Sequence, residues 1–175
     1  IRTEPETNFF PTVDQVKSIL PGTRLIVMNS PLNPTGTVID KEVLRGIAQA
    51  IVDENESRGD SPPCMLMWDA VYWQLTKDQY PFYSPVQLVP EVAPYVIHID
   101  AISKGFAATG LRVGWAVLPA YLQPKMKALI GHMGAWAARP EQIATAALLN
   151  DPDAVSTYNA WIKDEVDARL DALYD

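Results

Sequence analysis

"HIDAISKGFAATGLRVGW" runs from His98 to Trp115. It reads as the end of an apolar strand, Tyr95–Ile99, opening into a polar loop that carries Lys104, with Arg112 eight residues further on. A lysine beside a buried strand costs desolvation free energy, so the segment calls for a role for that amine. Two apolar runs of the same kind lie upstream, Leu25–Met28 and Met65–Trp68, and one follows, Val113–Leu118. The first three are continuous rather than alternating. That pattern predicts strands buried on both faces of a largely parallel sheet, although a buried helical stretch would read similarly.

Helical patterns lie between and after the strands. Thr12 with Gln15 makes a capping box, Val13, Val16 and Leu20 share a face, and Pro21-Gly22 ends that helix. Asp40 is placed to cap a helix whose apolar stripe is Val43, Leu44, Ile47 and Ile51. Further helices are predicted over Tyr121–Ile130 and Pro140–Leu149. The last spaces Val155, Tyr158, Ile162, Val166, Leu170 and Leu173 three or four residues apart, with no stop signal before Asp175. The Pro-rich spots "SPPC", "YPFYSP" and "VPEVAP" read as loops. Strands alternating with helices give one layered α/β domain over residues 1–175, and the unfinished last helix makes it a piece of something longer.

The polar residues are not scattered. Asn29, Ser30 and Asn33 follow the first strand in "NSPLNPTG". Asp69 closes the second in "WDAVYW", and Asp100, Ser103 and Lys104 follow the third. Polar groups thus gather at the carboxyl ends of successive strands, where open α/β sheets place ligands. Glycine-rich nucleotide loops, the nucleophile elbow, H-E-x-x-H and C-x-x-C are all missing, and no metal site is expected. The two histidines, His98 and His132, are far apart and read as structural.

What remains is an asparagine, an aspartate with a tyrosine three residues on, a lysine, and an arginine. These are the groups needed to hold and tune pyridoxal 5'-phosphate. A lysine amine forms a Schiff base with its aldehyde. A carboxylate keeps the pyridine nitrogen protonated, donors to the phenolic oxygen set the basicity of the Schiff base, and a guanidinium takes phosphate oxygens in pairs.

With "NSPLNPTG", "WDAVY" and "AISKGFAATGLRVGW" in that order, the sequence resembles the fold-type I pyridoxal-phosphate aminotransferases of class I/II. The resemblance implies a three-layer α/β/α fold with a mostly parallel sheet. It implies that Lys104 carries the Schiff base and shuttles the substrate proton, with Asp69 and Tyr72 as the other catalytic residues. Asp69 would pair with the pyridinium nitrogen, Asn33 and Tyr72 would bond the phenolic oxygen, and Arg112, with Ser103 as a weaker candidate, would bind phosphate. The serine usual three residues before the lysine is Ala101 here, so one phosphate contact departs from the pattern. Against the family, the chain covers the latter part of the large domain. The upstream phosphate loop and stacking aromatic are absent, as is the C-terminal small domain with its substrate-binding arginine. The implied activity is transfer of an amino group between an amino acid and a 2-oxo acid by a full-length homodimer, with this segment alone inactive.

Plainer readings accompany each residue. Asn33-Pro34-Thr35-Gly36 also fits a simple turn, Asp69 a helix cap, Tyr72 a core aromatic, Lys104 a surface lysine and Arg112 a strand-edge charge. Trp68, Trp73, Trp115 and Trp136 read as core or interface packing. The same cofactor also serves lyases, decarboxylases and synthases, and a non-catalytic scaffold is the alternative of another class. Composition narrows the partners. The chain is 48% hydrophobic and 20% charged with a net charge of -7 and no basic block, which argues against nucleic acid and anionic membranes. A single cysteine, Cys64, fits a reducing compartment, so a cytoplasmic location is expected. The sequon at Asn55 is read as chance.

Overall fold

The structure is a computed structural model and describes residues 1–174. Four strands form one sheet: β1 (Leu25–Asn29), β2 (Met65–Asp69), β3 (Val96–Ala101) and β4 (Gly114–Val117). They lie side by side in the order β1-β2-β3-β4. The first three are parallel, and the register places Asn29 beside Asp69 and Asp69 beside Ile99. Their carboxyl ends are therefore level. β4 returns antiparallel to β3, pairing Asp100 with Trp115 and Ala101 with Gly114.

Six helices complete the α/β architecture: α1 (Val13–Ile19), α2 (Lys41–Ser57), α3 (Pro85–Leu88), α4 (Gln123–Met133), α5 (Arg139–Leu149) and α6 (Pro152–Tyr174). The two sequence-encoded caps are formed. Thr12 Oγ1 accepts from Gln15 N–H at 3.2 Å while Gln15 Oε1 accepts from Thr12 N–H at 2.9 Å. Asp40 Oδ1 accepts from the N–H groups of Glu42 and Val43. These bonds satisfy donors that a helix start leaves without partners. The apolar stripe of α2 then buries Leu44, Ile47 and Ile51 with Val16, Leu66 and Trp68, all without solvent exposure. Each such aliphatic side chain stabilises the fold by about 1.5–3 kcal/mol.

Several boundaries differ from the sequence reading, each for a physical reason. Tyr95 ends a short 3-10 turn, and β3 begins at Val96 and reaches Ala101 because β4 pairs with its last residues. β4 is shorter than Val113–Leu118. α4 starts at Gln123 rather than Tyr121, with Pro124 in its first turn, and stops at Gly134, whose φ of 63° suits glycine. Two Pro-rich loops contain helical turns. Pro85 opens α3 under a Ser84 cap, and Pro90 opens the 3-10 turn Pro90–Tyr95. The continuous apolarity of β1 does not bury both faces here: Met28 is buried, whereas Leu25 is 47% and Val27 62% exposed. α6 fits its spacing, and Asp175 lies outside the described residues. No helix among the described residues is long and apolar enough to cross a membrane.

Asn55 shows why its sequon is a coincidence. The side chain is buried near the end of α2, where Nδ2 donates to Cys64 C=O at 2.9 Å and Oδ1 accepts from Cys64 N–H at 2.7 Å. It takes the place of a backbone partner just before β2. Asn55→Ala should leave both Cys64 groups buried and unpaired and destabilise the protein by about 2–4 kcal/mol. A urea midpoint unchanged in this variant of the intact natural chain would show that the pair contributes nothing.

Candidate active site

The level ends of β1, β2 and β3 release three turns on one edge of the sheet. The first, after β1, is a tight one: Gly36 N–H donates to Leu32 C=O and Leu32 N–H to Thr37 C=O, both at 2.8 Å. Gly36 has a φ of 70°, a conformation glycine adopts freely. So Asn33-Pro34-Thr35-Gly36 is a turn, and the turn also has a job. It presents the exposed Asn33, whose Nδ2 donates to the Tyr72 hydroxyl at 3.1 Å.

Asn29 fixes that turn to the second strand. Its Oδ1 accepts from Asn33 N–H at 2.9 Å and its Nδ2 donates to Asp69 C=O at 3.0 Å. The sequence grouped Asn29 with the polar strand ends but gave it no role. Its bridging depends on the β1–β2 register, which composition does not encode.

Asp69 is half-buried at the end of β2. One carboxylate oxygen accepts from Val71 N–H at 3.2 Å, and the other takes none of the described hydrogen bonds. The chain then turns through Tyr72 into a 3-10 turn, Trp73–Leu75. Trp68 is fully buried as expected, whereas Trp73 is 37% and Trp136 55% exposed, so neither belongs to the core. Trp73 Nε1 instead donates to Asp100 Oδ2 at 2.9 Å, a pairing across the sheet edge that local sequence does not reveal.

The third turn joins β3 to β4. Ile102 N–H donates to Val113 C=O at 3.3 Å, closing a hairpin loop that holds Ser103, Lys104 and Arg112. Lys104 is half-buried, its Nζ 5.6 Å from the centre of the Tyr72 ring, and it has no ion-pair partner among the described residues. Ser103 C=O accepts from the Thr109 hydroxyl at 2.8 Å. Arg112 is exposed, with a φ of 56°, and one guanidinium nitrogen donates to Thr109 C=O at 2.9 Å, leaving other N–H donors open. The structure thus brings Asn33, Tyr72, Lys104 and Asp69 to one edge. Arg112 and Ser103 share the lysine loop, with no described bond to those four.

His98 and Asp100, both on β3, line a cleft with Trp73, Phe82, Asn159 and Lys163. Burial pulls the His98 imidazole below its ordinary range, against the opposing pull of Asp100 and Asp69. Burial also pushes the Asp100 carboxyl up, although Trp73 and Ala101 donate to it. His132 is exposed on α4.

The donor set suits one ligand chemistry. An amide N–H and a phenol converge beside a lysine, with a half-buried carboxylate on the adjacent strand end. That fits an aromatic ring bearing an oxyanion, a protonated nitrogen and an aldehyde. The sequence profile of "Aminotransferase class I and II" matches residues 1–175. The chain belongs to this family. The family uses pyridoxal 5'-phosphate, and the residues at this edge fit that group. A probable aspartate/prephenate aminotransferase of Thermus aquaticus is 31% identical over all of this chain and 43% of its own length. Among solved structures, an aspartate aminotransferase from Thermus thermophilus with maleate superposes with a TM-score of 0.85 at 28% identity, over 98% of this chain and 42% of its own. N-succinyldiaminopimelate aminotransferase from Mycobacterium tuberculosis gives 0.81 at 29% identity, over 95% of this chain and 40% of its own. The chain therefore spans about two fifths of the length of the relatives it matches.

Proposed function

We infer that these residues serve a pyridoxal-phosphate-dependent aminotransferase that moves an amino group between an amino acid and a 2-oxo acid. The observation that carries this is the Asn33–Tyr72 hydrogen bond with Lys104 above the Tyr72 ring. Three side chains from three separate turns converge where a ring oxygen and an aldehyde carbon need a donor, a phenol and an amine. Bound there, pyridoxal 5'-phosphate supplies an electron sink for a carbanion at the substrate carbon. Lys104 would supply the amine that holds the aldehyde and the base that moves the proton at that carbon. Asp69 would hold the ring nitrogen, Asn33 and Tyr72 would donate to the phenolic oxygen, and Arg112, assisted by Ser103, would bind the phosphate.

Relatives named for aspartate and prephenate make aspartate the first donor to try. A synthase reading has support in capreomycidine synthase of Streptomyces vinaceus, 30% identical over 66% of this chain. Two further features complete the proposal. Exposed Leu129, Met133, Trp136 and Ile143 on and between α4 and α5 provide an apolar surface for a second copy, in keeping with a homodimer. Buried, unpaired Cys64 is in keeping with a cytoplasmic site of action.

The deciding experiment uses the intact natural chain loaded with cofactor. Aspartate alone should release its oxo acid in one stoichiometric burst, and added 2-oxoglutarate should restart turnover. A burst that never restarts, or release of a lyase product instead, would count against transamination.

A further inference from the structure

We propose that Trp73 and Asp100 are positioning residues, which with Gln74 and Gly105 clamp the turn carrying Tyr72 to the loop carrying Lys104. The proposal rests on the roles given above to Lys104 and Tyr72.

The two segments leave adjacent parallel strands, yet among the described residues only one backbone hydrogen bond joins them beyond the ladder, from Ala70 N–H to Ile99 C=O at 3.0 Å. Side chains supply the rest. Asp100, buried near the end of β3, accepts from Ala101 N–H through Oδ1 at 2.7 Å and from Trp73 Nε1 through Oδ2 at 2.9 Å. The bond to Trp73 is part-buried and charge-assisted, and such bonds are stronger than neutral ones. The Trp73 ring is itself held against Phe82, their centroids 6.0 Å apart. The second point lies on the far side of the lysine. A Cβ on Gly105 would fall 1.7 Å from Gln74 Oε1 and 2.8 Å from Gln74 Cδ, so the Gln74 amide occupies the space that glycine leaves. In each segment the functional residue sits beside an anchor: Tyr72 precedes Trp73 and Gln74, and Lys104 lies between Asp100 and Gly105. A clamp with one point on either side of Lys104 fixes the amine relative to the phenol. Without it, the loop between β3 and β4 would be tied down only at its two ends and where Phe106 stacks on Tyr158 of α6, their centroids 5.6 Å apart.

The test measures Lys104 itself, in the intact natural chain stripped of cofactor. Brief acetylation across a pH series, read by peptide mass spectrometry, gives the reactivity of each lysine, with exposed Lys125 and Lys127 as internal references. Trp73→Phe and Asp100→Ala should each change the rate at Lys104 by roughly three- to tenfold, the factor that one hydrogen bond commands, and leave the references unmoved. Asp100→Asn has one oxygen for the two N–H groups that the carboxylate serves, so its rate should lie between those of wild type and Asp100→Ala. If Trp73→Phe, with its stranded carboxylate, folds poorly, the Trp73→Phe/Asp100→Asn pair removes the bond without the stranded charge. A Lys104 rate unchanged in the first two variants overturns the clamp. So does a wild-type rate at Lys104 in the Trp73→Phe/Asp100→Asn pair, which lacks the bond. Borohydride reduction of loaded wild type reports separately on the cofactor assignment: an unmodified Lys104 there refutes that assignment and leaves the acetylation result standing.

Discussion

Lys104→Ala in the intact, cofactor-loaded protein should lower turnover roughly a millionfold, the scale of loss seen when a covalent nucleophile is removed. Nothing near it can substitute. Lys125 and Lys127 are exposed on α4, outside the loop that Ile102 and Val113 close. Asn33 and Tyr72 are hydrogen-bond donors rather than amines. The direct readout is borohydride reduction followed by peptide mapping. A phosphopyridoxyl group should mark the Lys104 peptide of the wild type and disappear from the variant. Reproducible marking of Lys125 or Lys127 instead would remove the lysine from the site and most of the mechanism with it.

Asp69→Asn should keep the cofactor and lose most of the rate. Lys104, Asn33, Tyr72 and Arg112 would still hold the group, so its absorbance titration should change little. An amide cannot keep a pyridine nitrogen protonated. A close charge pair in a half-buried site contributes about 4 kcal/mol at an effective dielectric of about 20. That corresponds to roughly a thousandfold in kcat. Asp69 is well placed for such a contribution, with one oxygen tethered to Val71 N–H and the other without a described partner. Turnover within a few-fold of wild type would mean that its carboxylate does not face the ring nitrogen.

Much of this site could be read from the chain because its parts are local. Asp69 stands where an apolar run meets its first charge, and Lys104 stands five residues past another run. The parallel sheet then aligns those two strand ends by its register. The helix caps at Thr12 and Asp40 were equally legible, since a capping box involves residues three apart. What escaped sequence reading depends on partners far along the chain. Trp73 was taken for packing because its acceptor, Asp100, lies 27 positions away and meets it only after β2 and β3 pair. The extension of β3 to Ala101 was missed for the same reason: Asp100 and Ala101 are polar or small, and only the ladder to Trp115 and Gly114 makes them strand. The exposed face of β1 was missed because an apolar run reports affinity for a nonpolar neighbour, not the presence of one.

The loop between β3 and β4 has two non-glycine residues in the left-handed region, Ala107 at a φ of 48° and Arg112 at 56°. Each costs about 1 kcal/mol or more against an ordinary conformation. The loop is therefore a bent spring, held at both ends and, between them, where Gly105 meets Gln74 and Phe106 stacks on Tyr158. β4 holds one of those ends, although its Val117 is 66% exposed. Slackening at β4 would let the spring relax toward ordinary backbone angles and carry Lys104 with it. A strand that looks like peripheral surface is, in mechanical terms, a part of the mounting of the reactive amine.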